Sequence, residues 1–338
     1  MKLHTFLALL ALVTPALAQK GASVNETARF LAGLPCSGGL APLTKNGAWE
    51  AHATAMDHAW SKKESQQVGP IRSWMAGHAP GAYHSGAPCY YMFSGPDALY
   101  ANTFFPNART YILAGLEPVG QVGDLTRVPP EALRGELGAL RSSMSTMLSF
   151  HYFITKDMRT GLGAGQIQGT LPILYVFLSR LGNTIIDTQF VSSPAQGVKI
   201  TFSRGGGGAQ TLYYFKTDLS GGKSGFLGWC AGHGPGNSLL KAASYLMHTE
   251  GFSGVKNFLL SNSRVIVQDD SGIPLRSFGK GWNMQIYGRY VPHQEMFGKY
   301  RQADLAALFD KTNPPELGFA FGYHCQKDRG ILMLATRQ

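Results

Sequence analysis

Two acids are distinguished by the residues around them. Ser94-Gly95-Pro96-Asp97 follows the aromatic run P-C-Y-Y-M-F (88–93), and Glu117 follows the apolar run T-Y-I-L-A-G-L (110–116). An acid about 20 residues after a glycine turn, at the carboxyl end of the next strand, is placed to accept hydrogen bonds from two hydroxyls of a ribose or sugar. Asp269 and Asp270 follow a third apolar strand, 264–267. If the strands are parallel, all four acids meet at one sheet edge, where they could do acid and base work or hold a cation. Asp97, Glu117, Asp269 and Asp270 are therefore the candidate catalytic residues. Ser94 and Gly95 are candidate ligand contacts, together with Lys241, Tyr245 and His248, which share one face of a helix expected over 238–248. The competing reading of the same residues is local: Asp97 caps a helix and Glu117 ends a strand.

Other motifs fail on their partners. Gly222-Lys223-Ser224 ends like a phosphate loop, but the glycine required five residues earlier is Thr217. Asp270-Ser271-Gly272 matches the aspartic-protease triplet without a second copy to share its proton. Ser238-Leu239-Leu240-Lys241 has Ser-x-x-Lys spacing but lacks the Ser-x-Asn and Lys-Thr-Gly that should accompany it. His52, His58, His78 and His84 fall close together, yet spacings of six put paired histidines about 240° apart on a helix. They read as scattered surface residues, and no metal site is assigned.

The elements that must position the acids follow from periodicity and punctuation. Segment 22–32 has helical spacing, and 19–87 as a whole reads as a helical and loop-rich N-terminal layer. From 88 onward, strands at 88–93, 110–116, 184–191, 198–203, 211–217, 264–267, 282–290 and 331–335 are interspersed with helices at 97–105, 129–153, 170–181, 238–248, 252–260 and 303–309. The glycines 205–208 form a hairpin tip. The expected fold class is α/β: a mostly parallel, Rossmann or methyltransferase-like sheet flanked by helices, formed by 88–338.

Of the 338 residues 44% are hydrophobic and only 15% charged, with 42 Gly and 18 Pro, which excludes a disordered or collagen-like chain. Residues 1–18 carry Lys2, an apolar run and an Ala-Leu-Ala end, the pattern of a secretory signal peptide. Periplasmic or secreted localisation is the expectation, with no membrane span in the mature chain. Four cysteines in an oxidising compartment allow two disulfides in three connectivities. A formal charge of +10 favours anionic surfaces. The expected partner is a small molecule or an anionic envelope component, and export argues against nucleic acid.

The segment F-F-P-N-A-R-T-Y-I-L-A-G-L-E (104–117) resembles the second-strand region of a class I methyltransferase nucleotide-binding unit, with Ser-Gly-Pro-Asp in place of its G-x-G loop. That resemblance implies a ribose-binding role for Glu117. The blocks from S-G-P-D to G-L-E-P-V-G, K-A-A-S-Y-L-M-H and Q-D-D-S-G-I-P also resemble an uncharacterised exported bacterial family, a resemblance that leaves activity and cofactor open. Two classes of function follow: an envelope enzyme or ligand-binding protein using the strand-end acids, and a non-enzymatic envelope interaction or structural protein.

Overall fold

The structure, a computed structural model, describes residues 22–150, 162–222, 224–291, 297–323 and 330–338. The signal-peptide expectation, Lys223 and Cys325 lie outside the described residues. Helix α1 (Val24–Leu31) opens with Ser23 Oγ accepting from Glu26 N at 3.2 Å, and α2 (Gly47–Lys63) opens with Asn46 Oδ1 accepting from Ala48 N at 2.8 Å. A π-helical turn joins α2 to α3 (Gly69–His78), and the single-turn α4 (Pro80–Tyr83) leads into the sheet. Among the described residues only helices and turns precede the first strand.

The following elements are β1 (Cys89–Tyr91), α5 (Ala98–Phe104) and β2 (Thr110–Gly115), then α6 (Pro130–Phe150) flanked by the two-residue strands β3 (Gln121–Val122) and β4 (Ile167–Gln168). After α7 (Leu171–Arg180) come β5 (Asn183–Val191), β6 (Gly197–Arg204), β7 (Gln210–Lys216) and α8 (Ser224–Ala231). The chain closes with β8 (Gly236–Leu240), α9 (Ser253–Asn262), β9 (Ser263–Gln268), β10 (Trp282–Gly288), α10 (Ala303–Thr312) and β11 (Ile331–Arg337).

The main sheet is mixed, in the order β10-β11-β9-β8-β1-β2-β7-β6-β5. Its five central strands, β9, β8, β1, β2 and β7, are parallel, whereas β5, β6, β10 and β11 join through antiparallel pairings. Successive residues of the central strands face opposite cores. Tyr111 and Leu113 pack beneath the N-terminal layer with α5, α6 and α7, while Ile112 and Ala114 pack against α8 and α9. Helices on both faces explain why these strands read as continuous apolar runs. At one end of the sheet, Asn25 Oδ1 accepts from Ile185 N at 3.0 Å, and the β5–β6 register shifts between Ile185 and Asp187.

Three expectations need correction. First, 238–248 is not a helix. Asn237 and Ser238 pair with Cys89 and Tyr90 of β1, and Asn237 to Leu240 pair with Val265 to Gln268 of β9. A short apolar run fits either period, and here pairing on both sides makes it a strand. Second, Cys36, Cys89 and Cys230 are free thiols. Cys89 packs in one core and Cys230 in the other, with the sheet between them. Third, His52 is not a surface histidine. Its ring is buried, with Nδ1 3.0 Å from Arg141 Nη1 and Nε2 2.8 Å from Leu31 O. Since the guanidinium can only donate, Nδ1 accepts and Nε2–H donates, so the ring is neutral.

Burial, reinforced by Arg141 and Arg180, pushes the His52 pKa down to about 4. The unfolded chain therefore binds a proton that the folded chain refuses between about pH 4 and 6.5. Stability from this group is present above pH 6.5 and is lost as pH falls. Urea midpoints at pH 4.5 and 7 should differ less in His52→Gln than in the wild-type chain.

Candidate active site at the carboxyl edge of the sheet

The chain runs from β1 outward to β2 and β7, then returns past β1 to β8 and β9. The strand order therefore reverses between β1 and β8, and in such sheets the crevice beyond the carboxyl ends at that point is where ligands bind. A cavity of about 210 Å³ lies there. Ser94, Gly95 and Asp97 line it from the turn after β1, and Gly115, Leu116 and Glu117 from the end of β2. Thr217 to Leu219 contribute from beyond β7, Lys241 to Ser244 from beyond β8, and Phe93 and Phe252 from its apolar side. The two phenylalanine rings meet edge to face at 5.6 Å.

Asp97 is buried and held from three directions. Its Oδ1 accepts from Tyr100 N at 3.1 Å and so caps α5. Its Oδ2 accepts from Tyr91 Oη at 2.8 Å and lies 3.3 Å from Lys241 Nζ, with both charged side chains 1% exposed. The ammonium also stands 4.3 Å from the Tyr100 ring centre, a cation–π contact. The local reading of Asp97 as a helix cap is correct, and the residue faces the cavity as well.

Glu117 is buried at the other side of the turn. Tyr214 Oη donates to the Glu117 backbone carbonyl at 2.9 Å and lies 3.3 Å from Oε2. Burial and the Glu117 carboxylate keep the Tyr214 hydroxyl well above its ordinary pKa. The carboxylate lies over two glycines. A Cβ on Gly115 would fall 2.4 Å from Glu117 Oε2 and 2.9 Å from Gly95 Cα, so only a hydrogen fits between the β1 turn and the acid.

Asp269 and Asp270 share this edge but stand behind the cavity wall and do not line the cavity. Asp269 Oδ2 accepts from Ala242 N at 2.8 Å, and Oδ1 accepts from Ser271 N at 2.9 Å and Ser271 Oγ at 2.5 Å. Asp270 Oδ2 accepts from Tyr245 Oη at 2.6 Å. Burial raises both carboxyl pKa values, and the neighbouring Asp269 helps to lift Asp270 to about 7. Among the described residues no group of three or more His, Cys, Asp and Glu could hold a metal ion.

No family model, curated protein or solved structure matches this chain.

The five expected ligand contacts separate accordingly. Ser94, Gly95 and Lys241 line the cavity, whereas Tyr245 and His248 do not. The common helical face fails because the chain leaves β8 through left-handed residues, Ala242, Ser244 and Tyr245. Tyr245 turns to Asp270, with His248 at its ring edge, 5.2 Å away between centres. Sequence reasoning missed Tyr91, Phe93, Tyr214, Asp218 and Ser244. Phe93 has φ +63°, so four of the five left-handed non-glycine residues among the described residues line or adjoin this cavity. Such strain collects at functional sites. No motif announces it, since Phe, Ala, Ser and Tyr do not favour that conformation.

Proposed function

We propose that this is an exported protein that binds a small, hydroxyl-rich molecule in the crevice beyond β1, β2 and β8, with the Glu117 carboxylate accepting from a vicinal diol. The carrying observation is the cavity at the strand-order reversal, with Glu117 set against Gly95 and Gly115. The strands β7-β2-β1-β8-β9-β11-β10, with β11 reversed, follow the order of a class I methyltransferase sheet, which supports the resemblance of the 104–117 segment.

Size narrows the occupant. Pockets for drug-sized molecules hold roughly 300–1,000 Å³, and this cavity of about 210 Å³ suits a single sugar or ribose unit better than a dinucleotide. The aromatic pair Phe93 and Phe252 offers an apolar face to a ring, and the buried Asp97–Lys241 pair offers an acceptor and a donor to its substituents. The same residues could supply acid and base chemistry, which makes an enzyme of this class the natural extension of the binding reading.

Native mass spectrometry of the mature protein purified from an oxidising export compartment tests the reading. A retained small molecule with a vicinal diol is the expected result. Glu117→Gln removes the charge from a charge-assisted acceptor, a change of about 1.5–3 kcal/mol, so affinity for that molecule should fall on the order of tenfold to a hundredfold. An empty wild-type protein that also gives no chemical-shift change with a panel of pentoses, hexoses and nucleosides would favour the envelope interaction reading instead.

A further inference from the structure

The cavity wall beyond β8 is built from backbone conformations that L residues rarely adopt. Ala242 has φ +52°, Ser244 +54° and Tyr245 +55°. Each is strained for an L residue, so the turn persists only because bonds from outside it hold it. Those bonds converge from two places. Asp269 and Ser271 accept from the amides of Ala242 and Ala243 at 2.8 Å and 2.7 Å, and Asp270 accepts from the Tyr245 hydroxyl. Tyr323 Oη donates to Ala242 O and accepts from Ser244 N, both at 2.9 Å. The other face of the turn, Lys241 to Ser244, is the cavity lining.

We propose that the proton on Asp270 is a switch for this wall: protonated, Asp270 leaves the Asp269–Ser271 bracket intact and the turn closed, and its ionisation beside Asp269 loosens the bracket and opens the cavity. The proposal concerns regulation of the ligand site and rests on that reading of the cavity.

The two carboxyls differ in a way that assigns the proton. Asp269 accepts three hydrogen bonds and has Lys241 nearby, all of which favour its charged form. Asp270 has one side-chain donor, Tyr245, and a charged neighbour in Asp269, so of the two it is Asp270 that holds a proton more readily. The groups facing the pair from other elements hold one charge state around neutrality. Burial pushes Tyr91, Tyr245 and Tyr290 above the ordinary phenol range, and burial together with Arg276 pushes His248 down to about 4. From α10, Gln302 Nε2 donates to the Asp270 backbone carbonyl at 3.0 Å and carries no charge.

The sign follows from linkage. An acid whose folded pKa is raised from 3.8 to about 7 lends stability that is complete below about pH 4 and is lost as pH rises through 7. The loss falls on the structure that confines the charge, which is the wall turn.

Amide hydrogen exchange of the ligand-free protein between pH 5.5 and 8.5 tests this, with each rate expressed relative to that of an unstructured peptide at the same pH. Protection at Ala242 and Ala243 should drop at least tenfold between pH 5.5 and 7 and level off above that, while Tyr90 and Ile112 in the central strands stay constant. Asp270→Asn should retain full protection to pH 8.5. Tyr245→Phe removes the donor that favours the carboxylate, so the pH at which its profile levels off should move upward, and it serves as the deciding variant if Asp270→Asn does not fold. A flat wild-type profile, a drop that survives in Asp270→Asn, or a levelling-off pH unmoved in Tyr245→Phe would overturn the switch. Because no ligand is present, these outcomes stand apart from the binding test: a switching wall around a cavity that takes no sugar sinks only the binding reading.

Discussion

Exchange of Lys241 for Met should lower the unfolding free energy by about 3–5 kcal/mol, the usual cost of leaving one member of a buried ion pair alone. Lys241 and Asp97 are each 1% exposed at the side chain, so water cannot replace the ammonium when it is removed. Asp97 cannot swing outward either, because its two oxygens are committed to Tyr91 Oη and to the first turn of α5. The double variant Lys241→Met/Asp97→Asn should recover most of the loss. Asn caps helices as well as Asp and carries no charge that needs a counterion. Urea denaturation of the single and double variants decides the point. A single variant within about 1 kcal/mol of wild type would mean that Asp97 does not depend on Lys241 for its charge.

Gly322→Ala should cost about 3 kcal/mol in total, combining a left-handed backbone with overpacking of a rigid site. The backbone at Gly322 has φ +75°, and a Cβ there would lie 2.4 Å from Asp269 Oδ2 and 2.8 Å from Asp269 Cβ. That oxygen is the acceptor for Ala242 N, so the new methyl can be relieved only by breaking the bracket behind the cavity wall. Gly318→Ala is the matched control, since a Cβ there meets nothing within 4 Å. The control should stay within about 0.5 kcal/mol of wild type. Thermal unfolding of the two variants separates a local clash from a general intolerance of change in this segment.

The α/β alternation was legible because each buried strand is an unbroken apolar run closed by a turn signal, as in T-Y-I-L-A-G-L before Glu117. Parallel pairing of β1 with β2 followed from a connection long enough to hold α5. The mixed outer strands were less legible: nothing in I-L-M-L-A-T-R says that β11 inserts antiparallel between β9 and β10. The misread 238–248 segment shows the limit of periodicity, because Leu239, Leu240, Ala243 and Met247 suit a helix until two neighbouring strands claim Asn237 to Leu240. Asp97 and Glu117 could be placed together from the sequence because they follow strands that run the same way, and both line the cavity. The role of Asp269 was hidden, since its partners are backbone amides of a turn whose left-handed residues carry no local signature.

The β5 end of the sheet bears on how the molecule lives at high concentration. An edge strand of nine residues with Ile186 and Phe190 more than half exposed is the kind of border on which a foreign strand can grow. Here the Ile185 amide is already taken by Asn25, and the irregularity between Ile185 and Asp187 breaks the even spacing of donors and acceptors that an incoming chain would have to match. A side chain from the first helix and one misaligned residue thus blunt the start of this border against the growth of a foreign strand.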